Sequence, residues 1–207
     1  MAALVQRLAL QLQGRSVEAV TETPEGHSRG LAVMAHPHPL FGGTMDNKVV
    51  QTLSRAFLNS GWQVLRFNFR GVGMSAGVFD NGIGEAQDLL ALTDQLAPQG
   101  PLALAGFSFG AFVACQALQT LWPSGRLEKI ILVGTAVLTF PVPALPSQAH
   151  DQTLVIHGEQ DDTVPLGGVM DWARPQQLPL MVVPGAGHFF HGQLMLLKSL
   201  ALRHLQA

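Results

Sequence analysis

The stretch AGFSFGAF at residues 105–112 decides the fold, because it joins a strand-like segment to a helix-like one. The preceding PLALA is typical of a short buried strand, and the following FVACQALQTL is typical of a helix with apolar residues on nearly every side. Gly106 and Gly110 flank Ser108 at positions where a side chain would collide with the adjoining strand or helix. So sharp a turn lifts the hydroxyl above the sheet edge, at the positive end of the new helix. The sequence therefore predicts that Ser108 is a nucleophile.

Candidate acids lie in the loop HGEQDDTVP at residues 157–165, directly after the strand-like run TLVIHG. A serine hydroxyl is almost un-ionised at neutral pH, so it needs a base, and that base needs a carboxylate to orient it. The loop offers Asp161, Asp162 and Glu159, at the end of a sheet strand where sites of parallel sheets form.

The candidate base lies in PGAGHFFHG at residues 184–192, which follows the last predicted strand. The small residues of this loop allow His188 to reach over the sheet edge toward Ser108. His191, about one helical turn further on, is the alternative. We predict His188 as the general base.

The rest of the chain alternates strand-like and helix-like segments, which predicts a mostly parallel, twisted α/β sheet covered by helices on both faces. The N-terminal runs LVQRLALQLQG and RSVEAVTETPEG predict an antiparallel pair of edge strands. Thr44 or Asp46 is positioned to cap the first helix, and Gly61 to end it. We expect one domain over residues 1–207. The proline-rich segment between Gly134 and Thr153 is too short to form a lid domain.

Composition limits the possible partners. The 207 residues carry a formal net charge of −2 with no cluster of Lys and Arg, which argues against nucleic-acid binding. The N-terminus lacks a secretory pattern and no apolar run approaches 18 residues, so we expect a soluble, cytoplasmic protein with no membrane contact. The single cysteine, Cys115, lies in an apolar helix and is expected to pack in the core.

Three segments, HPHPLFGGTMDNKVV, RFNFRGVGMSAG and GFSFG, together resemble a group of small, lidless bacterial α/β-hydrolases described as predicted serine esterases. The resemblance covers nearly the whole chain and implies the α/β-hydrolase fold with the triad order Ser108, Asp161, His188. It also favours Asp161 over Asp162, because Asp161 matches the Asp of the hydrolase pattern G-x-x-D-x-x-V-P. Asp162 then caps the next helix or faces solvent.

The resemblance also implies an oxyanion hole made of two backbone N–H groups. HPHP is similar to the HGxP motif, with a proline in place of the glycine. In that motif the residue at x, here His38, donates its backbone N–H to the oxyanion. Phe109, directly after the nucleophile, supplies the other donor. The prolines on either side of His38 have no N–H, and Leu40 or Phe41 is the fallback donor. Because no third ligand stands at a recognisable spacing, we expect no metal at HxH and no cofactor.

The loop RGVGMSAG at residues 70–77 matches a pattern common in this superfamily. Its glycines do not satisfy G-x-G-x-x-G, so a dinucleotide site is not expected. Arg70 and Ser75 are predicted to tie the loop to the sheet edge.

These observations predict a serine carboxylesterase that acts on small or short-acyl esters through a shallow, open pocket. The pocket wall is expected to consist of apolar side chains beside the catalytic loops, namely Leu40, Phe41, Phe109, Phe140 and Phe189. Alternative functions are an aminopeptidase-like or thioesterase activity, and a non-catalytic binding protein on a hydrolase fold.

The C-terminal helix at residues 193–206 raises the possibility of a homodimer. On a helical wheel, one broad face is predicted to pack on the sheet, and its members are Leu194, Met195, Leu197, Ala201, Leu202 and Leu205. Leu196 and Leu200 fall outside that face. With charged residues at only 13%, we predict that these two leucines contribute to a two-fold dimer contact, the alternative being isolated surface leucines.

Overall fold

The computed structural model describes residues 3–207, which form one eight-stranded sheet with helices on both faces. The strands are β1 (Leu4–Leu12), β2 (Arg15–Thr23), β3 (Leu31–Ala35), β4 (Gln63–Phe67), β5 (Leu102–Phe107), β6 (Leu127–Val133), β7 (Thr153–Gly158) and β8 (Leu180–Val183). Their order across the sheet is β1-β2-β4-β3-β5-β6-β7-β8. β1 and β2 run antiparallel, as does β2 against β4, and the remaining neighbours are parallel. The predicted fold class, including the antiparallel N-terminal edge, is confirmed.

Five α-helices connect or follow these strands in the described part of the chain. They are α1 (Lys48–Asn59), α2 (Ile83–Leu96), α3 (Phe109–Leu121), α4 (Leu166–Ala173) and α5 (Leu194–Gln206). Within residues 3–207, no helix combines the length and the hydropathy that crossing a bilayer requires.

The two faces of the sheet bury two separate apolar clusters. Alternate side chains of a strand point to opposite faces, so Val33 of β3 packs with α2 and α3, whereas the adjacent Met34 packs with α1 and α5. All five residues of β3 are buried, as expected for a parallel strand covered on both sides. Cys115 lies in the first cluster, where burial raises the pKa of its thiol.

The first helix begins differently from the prediction. Neither Thr44 nor Asp46 caps α1; the cap is Asn47, whose side-chain oxygen accepts a hydrogen bond from the Val49 N–H at 2.9 Å. Asp46 is instead bound by Arg66, Nη1 to Oδ1 at 2.8 Å. A buried charge partner thus draws the acidic residue away from the helix terminus.

The C-terminal helix packs beside α1 with Leu197, Ala201 and Leu205 fully buried. Two of the assignments on its helical wheel are wrong. Met195 is 77% exposed instead of packed, because it lies off the helical stripe of the buried Leu197, Ala201 and Leu205. Leu200 packs against the α1 side of the core. Leu196 is 43% exposed. Of the two leucines proposed to form the dimer contact, it is therefore the one that faces solvent more. The homodimer stays a prediction.

The segment between β6 and β7 contains no lid. Its one regular element is a 3₁₀ turn at Ser147–Ala149, and the segment lies against the α3 side of the core through Leu145 and Ala149. The carboxyl edge of the sheet is therefore not roofed by this connection.

Candidate active site

Ser108 occupies the turn between β5 and α3 with φ 58° and ψ −118°, a backbone region that non-glycine residues rarely adopt. The turn is held by a hydrogen bond from the Ser108 N–H to the Val133 carbonyl at 2.8 Å. A Cβ at Gly110 would overlap the backbone of Ala35 and His36 at the end of β3. The glycine therefore allows the elbow and the end of β3 to approach closely, as the sequence pattern predicts.

His188 and Asp161 form a buried hydrogen bond, with 2.7 Å between His188 Nδ1 and Asp161 Oδ2. The other carboxylate oxygen accepts from the Thr163 N–H at 3.0 Å and the Val164 N–H at 2.7 Å. Burial acts to raise the pKa of Asp161, but the hydrogen bonds from His188 and Val164 outweigh it and hold the pKa below its ordinary value. Asp161 is thus kept as an anion that orients the imidazole.

The alternative acids and base lie elsewhere. Asp162 is exposed and makes a long contact of 3.4 Å with the Thr163 hydroxyl, and the cap position of α4 is taken by Pro165. Glu159 accepts a hydrogen bond from the Gly185 N–H at 2.9 Å. His191 is exposed. The structure therefore brings Asp161 and His188 together and leaves the alternatives outside this pair.

Ser108 and His188 line the same cavity, which has a volume of about 310 Å³. Its other lining residues are Pro37, His38, Phe41, Gly42, Gly43, Asn47, Thr163 and Phe189. Because Nδ1 of His188 is bonded to Asp161, Nε2 is the nitrogen left to exchange a proton.

The predicted pocket wall is correct in part. Phe41 and Phe189 line the cavity, but Leu40, Phe109 and Phe140 do not. Leu40 belongs to the exposed 3₁₀ turn Pro39–Phe41 and is 68% exposed. The Phe109 side chain is fully buried, and the ring of Phe140 stacks on that of Phe112 with 4.9 Å between centroids. Core packing therefore takes Phe109 and Phe140 away from the cavity, whereas in the exposed 3₁₀ turn Phe41 lines the cavity and Leu40 does not.

Residues 36–47 contain His38, the predicted oxyanion donor, and are here called the oxyanion loop after that prediction; they place His38 in the cavity wall. The fallback donors Leu40 and Phe41 are already engaged, because their N–H groups donate to His38 Nδ1 and to the His38 carbonyl, each at 3.2 Å. Phe109 is the first residue of α3, where helix geometry gives an N–H no intrahelical acceptor.

Three polar groups at the end of β4 hold the oxyanion loop. Arg66 Nη1 donates to the Met45 carbonyl at 2.9 Å, and Asn68 Oδ1 accepts from the Met45 N–H at 2.9 Å. The Phe69 N–H donates to Nε2 of the buried His36 at 2.9 Å. Sequence reasoning missed this clamp, and its one signal is the pair of polar residues Arg66 and Asn68, which alternate with phenylalanines at the end of a mostly apolar strand.

Both nitrogens of His36 have partners within the fold, since Nδ1 lies 2.7 Å from the Pro37 carbonyl. The imidazole therefore donates from Nδ1 and accepts at Nε2, which requires the neutral form. Burial lowers the pKa of His36 to about 4, the hydrogen bond to Pro37 opposing the shift.

His157 is a second buried histidine that the sequence did not single out. Its Nε2 lies 2.8 Å from the Val164 carbonyl and 3.5 Å from Asp161 Oδ2. Burial lowers its pKa, against the hydrogen bond to Val164. The neutral ring closes the turn that presents Asp161. The signal was a histidine at the end of an apolar strand, four residues before the G-x-x-D aspartate.

The loop after β4 is tied at two places. Ser75 fastens it to the sheet edge as predicted, with Oγ donating to the Asn68 carbonyl at 2.7 Å and accepting from the Glu18 N–H at 2.9 Å. Arg70 binds α2 instead, with Nε and Nη2 3.0 and 2.9 Å from the carboxylate oxygens of Asp88. The prediction for Arg70 is wrong because a buried aspartate on the following helix provides a bidentate partner.

A larger cavity of about 450 Å³ lies beside α4 and β8. It is lined by Met170, Ala173, Arg174, Gln177, Leu178, Leu180 and Val182. None of the predicted site residues takes part in it.

Comparison with known proteins gives a consistent set of relatives. The family described as serine aminopeptidase, S33, matches residues 27–150. An uncharacterized protein of Rickettsia prowazekii is 31% identical over 195 residues, which cover 87% of this chain and 78% of that protein.

Two solved structures are similar over almost their full lengths. One is an α/β serine hydrolase without a lid from Xanthomonas campestris, with 32% identity, a TM-score of 0.84, and coverage of 99% of this chain and 94% of that one. The other is an α/β serine hydrolase homologue from Coxiella burnetii, with 34% identity, a TM-score of 0.82, and coverage of 97% of both chains.

Proposed function

The chain belongs to the serine aminopeptidase S33 family of α/β-hydrolases, and from this premise we propose that it is a serine carboxylesterase acting on small or short-acyl esters. One observation carries the proposal: the buried Asp161–His188 pair, joined at 2.7 Å, shares a cavity with a serine held in a strained elbow. Strain of this kind is retained where it serves a site, and here it presents the hydroxyl to the base.

In the proposed reaction Ser108 Oγ attacks the ester carbonyl carbon while its proton passes to His188 Nε2. Asp161 holds the imidazole in the tautomer with the proton on Nδ1 and stabilises the imidazolium that forms. The carbonyl oxygen becomes an oxyanion, which the backbone N–H groups of His38 and Phe109 stabilise.

The tetrahedral intermediate then collapses, and the departing alcohol takes the proton from His188. An acyl-enzyme remains on Ser108. His188 next removes a proton from a water molecule, which attacks the acyl carbon through the same oxyanion-stabilised intermediate and releases the carboxylic acid. These steps require no metal and no cofactor.

The short-acyl preference rests on the dimensions of the site. A volume of about 310 Å³ is at the lower limit of small-molecule pockets, which run from roughly 300 to 1,000 Å³. Within residues 3–207, no lid encloses the cavity. A long acyl chain would therefore leave most of its apolar surface in contact with water and gain little binding free energy from it.

Aminopeptidase activity is the main alternative, and the description of the matching family favours it. Such an enzyme must hold the protonated amino group of a peptide, for which a carboxylate is the natural partner. The lining residues of the cavity in the described part of the chain include no Asp or Glu. The site therefore supports an uncharged ester better. A thioesterase shares the same acyl-enzyme chemistry.

A substrate panel tests the proposal. Purified protein would be assayed with p-nitrophenyl acetate and butyrate, with butyryl and hexanoyl thioesters, and with alanyl and leucyl p-nitroanilides. Turnover of the esters should exceed turnover of the thioesters and of the anilides. Ser108→Ala should lower kcat by about 10⁴- to 10⁶-fold with an unchanged circular dichroism spectrum. Faster turnover of the anilides would assign the alternative. Equal ester turnover by Ser108→Ala would overturn the serine mechanism.

A further inference from the structure

We propose that the imidazole of His38 is a positioning residue, whose Nδ1 fixes the backbone that presents the oxyanion donor. This role rests on the proposed function, because it concerns the same oxyanion hole. The proposal concerns the side chain of His38, whereas the predicted oxyanion donor is its backbone N–H.

Three backbone N–H groups converge on His38. The Leu40 N–H donates to Nδ1 at 3.2 Å, and the carbonyl of His38 accepts from the Phe41 N–H at 3.2 Å and from the Gly43 N–H at 3.0 Å. His38 is the N-cap of the 3₁₀ turn Pro39–Phe41, with φ −54° and ψ 123°. These bonds curl the chain around His38, which lines the same cavity as Ser108, and in the proposed oxyanion hole its own N–H faces that cavity.

The flanking sequence makes the side-chain bond more important. Neither Pro37 nor Pro39 has an N–H, so neither can help to close the turn. The first N–H after His38 is that of Leu40, and it is bonded to the imidazole. Without an acceptor at this position the Leu40 N–H would turn toward water, and the bend that aims the His38 N–H would lose its first constraint.

Aromatic packing fixes the direction in which Nδ1 points. The imidazole centroid lies 4.8 Å from the ring of Phe41, 4.9 Å from Phe79, 5.0 Å from Phe109 and 5.6 Å from Phe140. Rings on these sides restrict rotation of the imidazole. Phe109 is also the second predicted oxyanion donor, so the contact joins the two halves of the hole.

The bond to Leu40 requires Nδ1 to be unprotonated, with the ring proton on Nε2. Burial lowers the pKa of His38, against the attraction of Glu85 on α2, and this favours the neutral ring.

Three substitutions separate the acceptor from the packing. His38→Asn keeps an acceptor, because the Asn side-chain oxygen, like Nδ1 of His, is two covalent bonds from Cβ. Asn is also a favoured N-cap residue. His38→Leu keeps apolar bulk against the phenylalanines but has no acceptor. His38→Ala removes both. His27→Ala, an exposed histidine outside the site, is the control.

The readouts are kcat and KM for p-nitrophenyl butyrate, the inhibition constant of a butylboronic acid that mimics the tetrahedral intermediate, and the melting temperature. We expect His38→Ala and His38→Leu to lower kcat by about 10- to 100-fold, less than complete loss of an oxyanion donor, and KM to change by less than about threefold. Boronate affinity should fall in parallel. His38→Asn should stay within about threefold of wild type in kcat and in boronate affinity.

A different ranking would overturn the proposal. If His38→Leu restores activity and His38→Asn does not, ring packing is the relevant property. If His38→Leu and His38→Asn have equal kcat, or if the kcat of His38→Ala matches that of wild type, Nδ1 does not position the loop. These results are distinct from failure of the proposed function, which would appear as ester turnover retained by Ser108→Ala. If His38→Ala fails to fold, the Asn and Leu variants still decide the question.

Discussion

The proposed acid–base side of the site and its proposed oxyanion side are held in place by different means. On the acid–base side, Asp161 and His188 bond directly through their side chains, and the turn around Asp161 is closed within a few residues of sequence. On the oxyanion side, the loop at residues 36–47 is held from outside, by Arg66, Asn68 and the Phe69 N–H.

The difference shows which parts of a site a sequence pattern can encode. A local turn carries its own constraints, and the pattern G-x-x-D-x-x-V-P favours Asp161, the carboxylate that is bonded to His188 in the structure. The oxyanion loop depends on residues of β4 and just after it that are 21 to 33 positions away in the chain. The following predictions compare the two sides, from the largest expected effect to the smallest.

Replacing the acid should give the largest effect on the acid–base side. Asp161→Asn should lower kcat by about 10⁴-fold, because an amide no longer fixes the imidazole with its proton on Nδ1. Asp162→Asn is the matched control and should change kcat by less than about threefold, since Asp162 is exposed. Steady-state kinetics with p-nitrophenyl butyrate decides, and a larger loss for Asp162→Asn would identify the wrong carboxylate.

Breaking the clamp should affect the oxyanion side less severely. Asn68→Ala removes the acceptor for the Met45 N–H and the donor to Glu18 Oε2, which lies 2.7 Å from Asn68 Nδ2. We expect kcat to fall by about 10- to 100-fold with KM nearly constant, because a loosened loop stabilises the oxyanion less well. Asp94→Ala, an exposed substitution on α2, is the control. A lower melting temperature with unchanged kcat would show that the clamp serves only stability.

The pH dependence of stability should reflect a buried neutral histidine on each side, His36 and His157. Their folded pKa values lie below the ordinary value, so the unfolded chain binds more protons between about pH 6.5 and the folded pKa. Stability therefore falls as the pH is lowered through this range. His36, with a pKa of about 4, should by itself cost on the order of 2 kcal/mol between pH 7 and pH 5.

Urea unfolding at pH 7 and pH 5 checks this expectation. Asp161 does not contribute in that range, because its pKa is lowered from an already acidic value and its stabilisation is lost only at lower pH. His36→Gln should give a smaller difference between the two pH values than wild type does. An equal difference in both proteins would show that His36 is not the source.

The smallest expected effect concerns the rim that both sides share, formed by Phe41 and Phe189. Acetate and butyrate esters should be hydrolysed a few times faster than octanoate esters, measured as kcat/KM at concentrations below micelle formation. Phe41→Ser should lower the ratio of kcat/KM for butyrate to kcat/KM for octanoate only slightly, because Phe41 is 87% exposed. A strong preference for octanoate would contradict the short-acyl assignment.

The fold could be predicted from the sequence because the parallel strands are short, mostly apolar runs that alternate with helix-like segments. The elbow at Ser108 and the loops with Asp161 and His188 carry local patterns of their own. The cap at Asn47 is local, but it was missed because Asp46 is bound by Arg66, a partner 20 residues away in the chain. The binding of Arg70 to Asp88 and the packing of Phe140 could not be predicted, because each depends on a partner brought close only by folding. The same holds for Leu200, which the neighbouring α1 draws into the core.

The most direct test of the central claim is to label the protein with a fluorophosphonate and locate the adduct by peptide mass spectrometry. The serine mechanism predicts one adduct per chain, on Ser108, with labelling abolished in Ser108→Ala and strongly slowed in Asp161→Asn. An adduct on another residue, or no labelling of the folded wild-type protein, would contradict the assignment of Ser108 as the nucleophile.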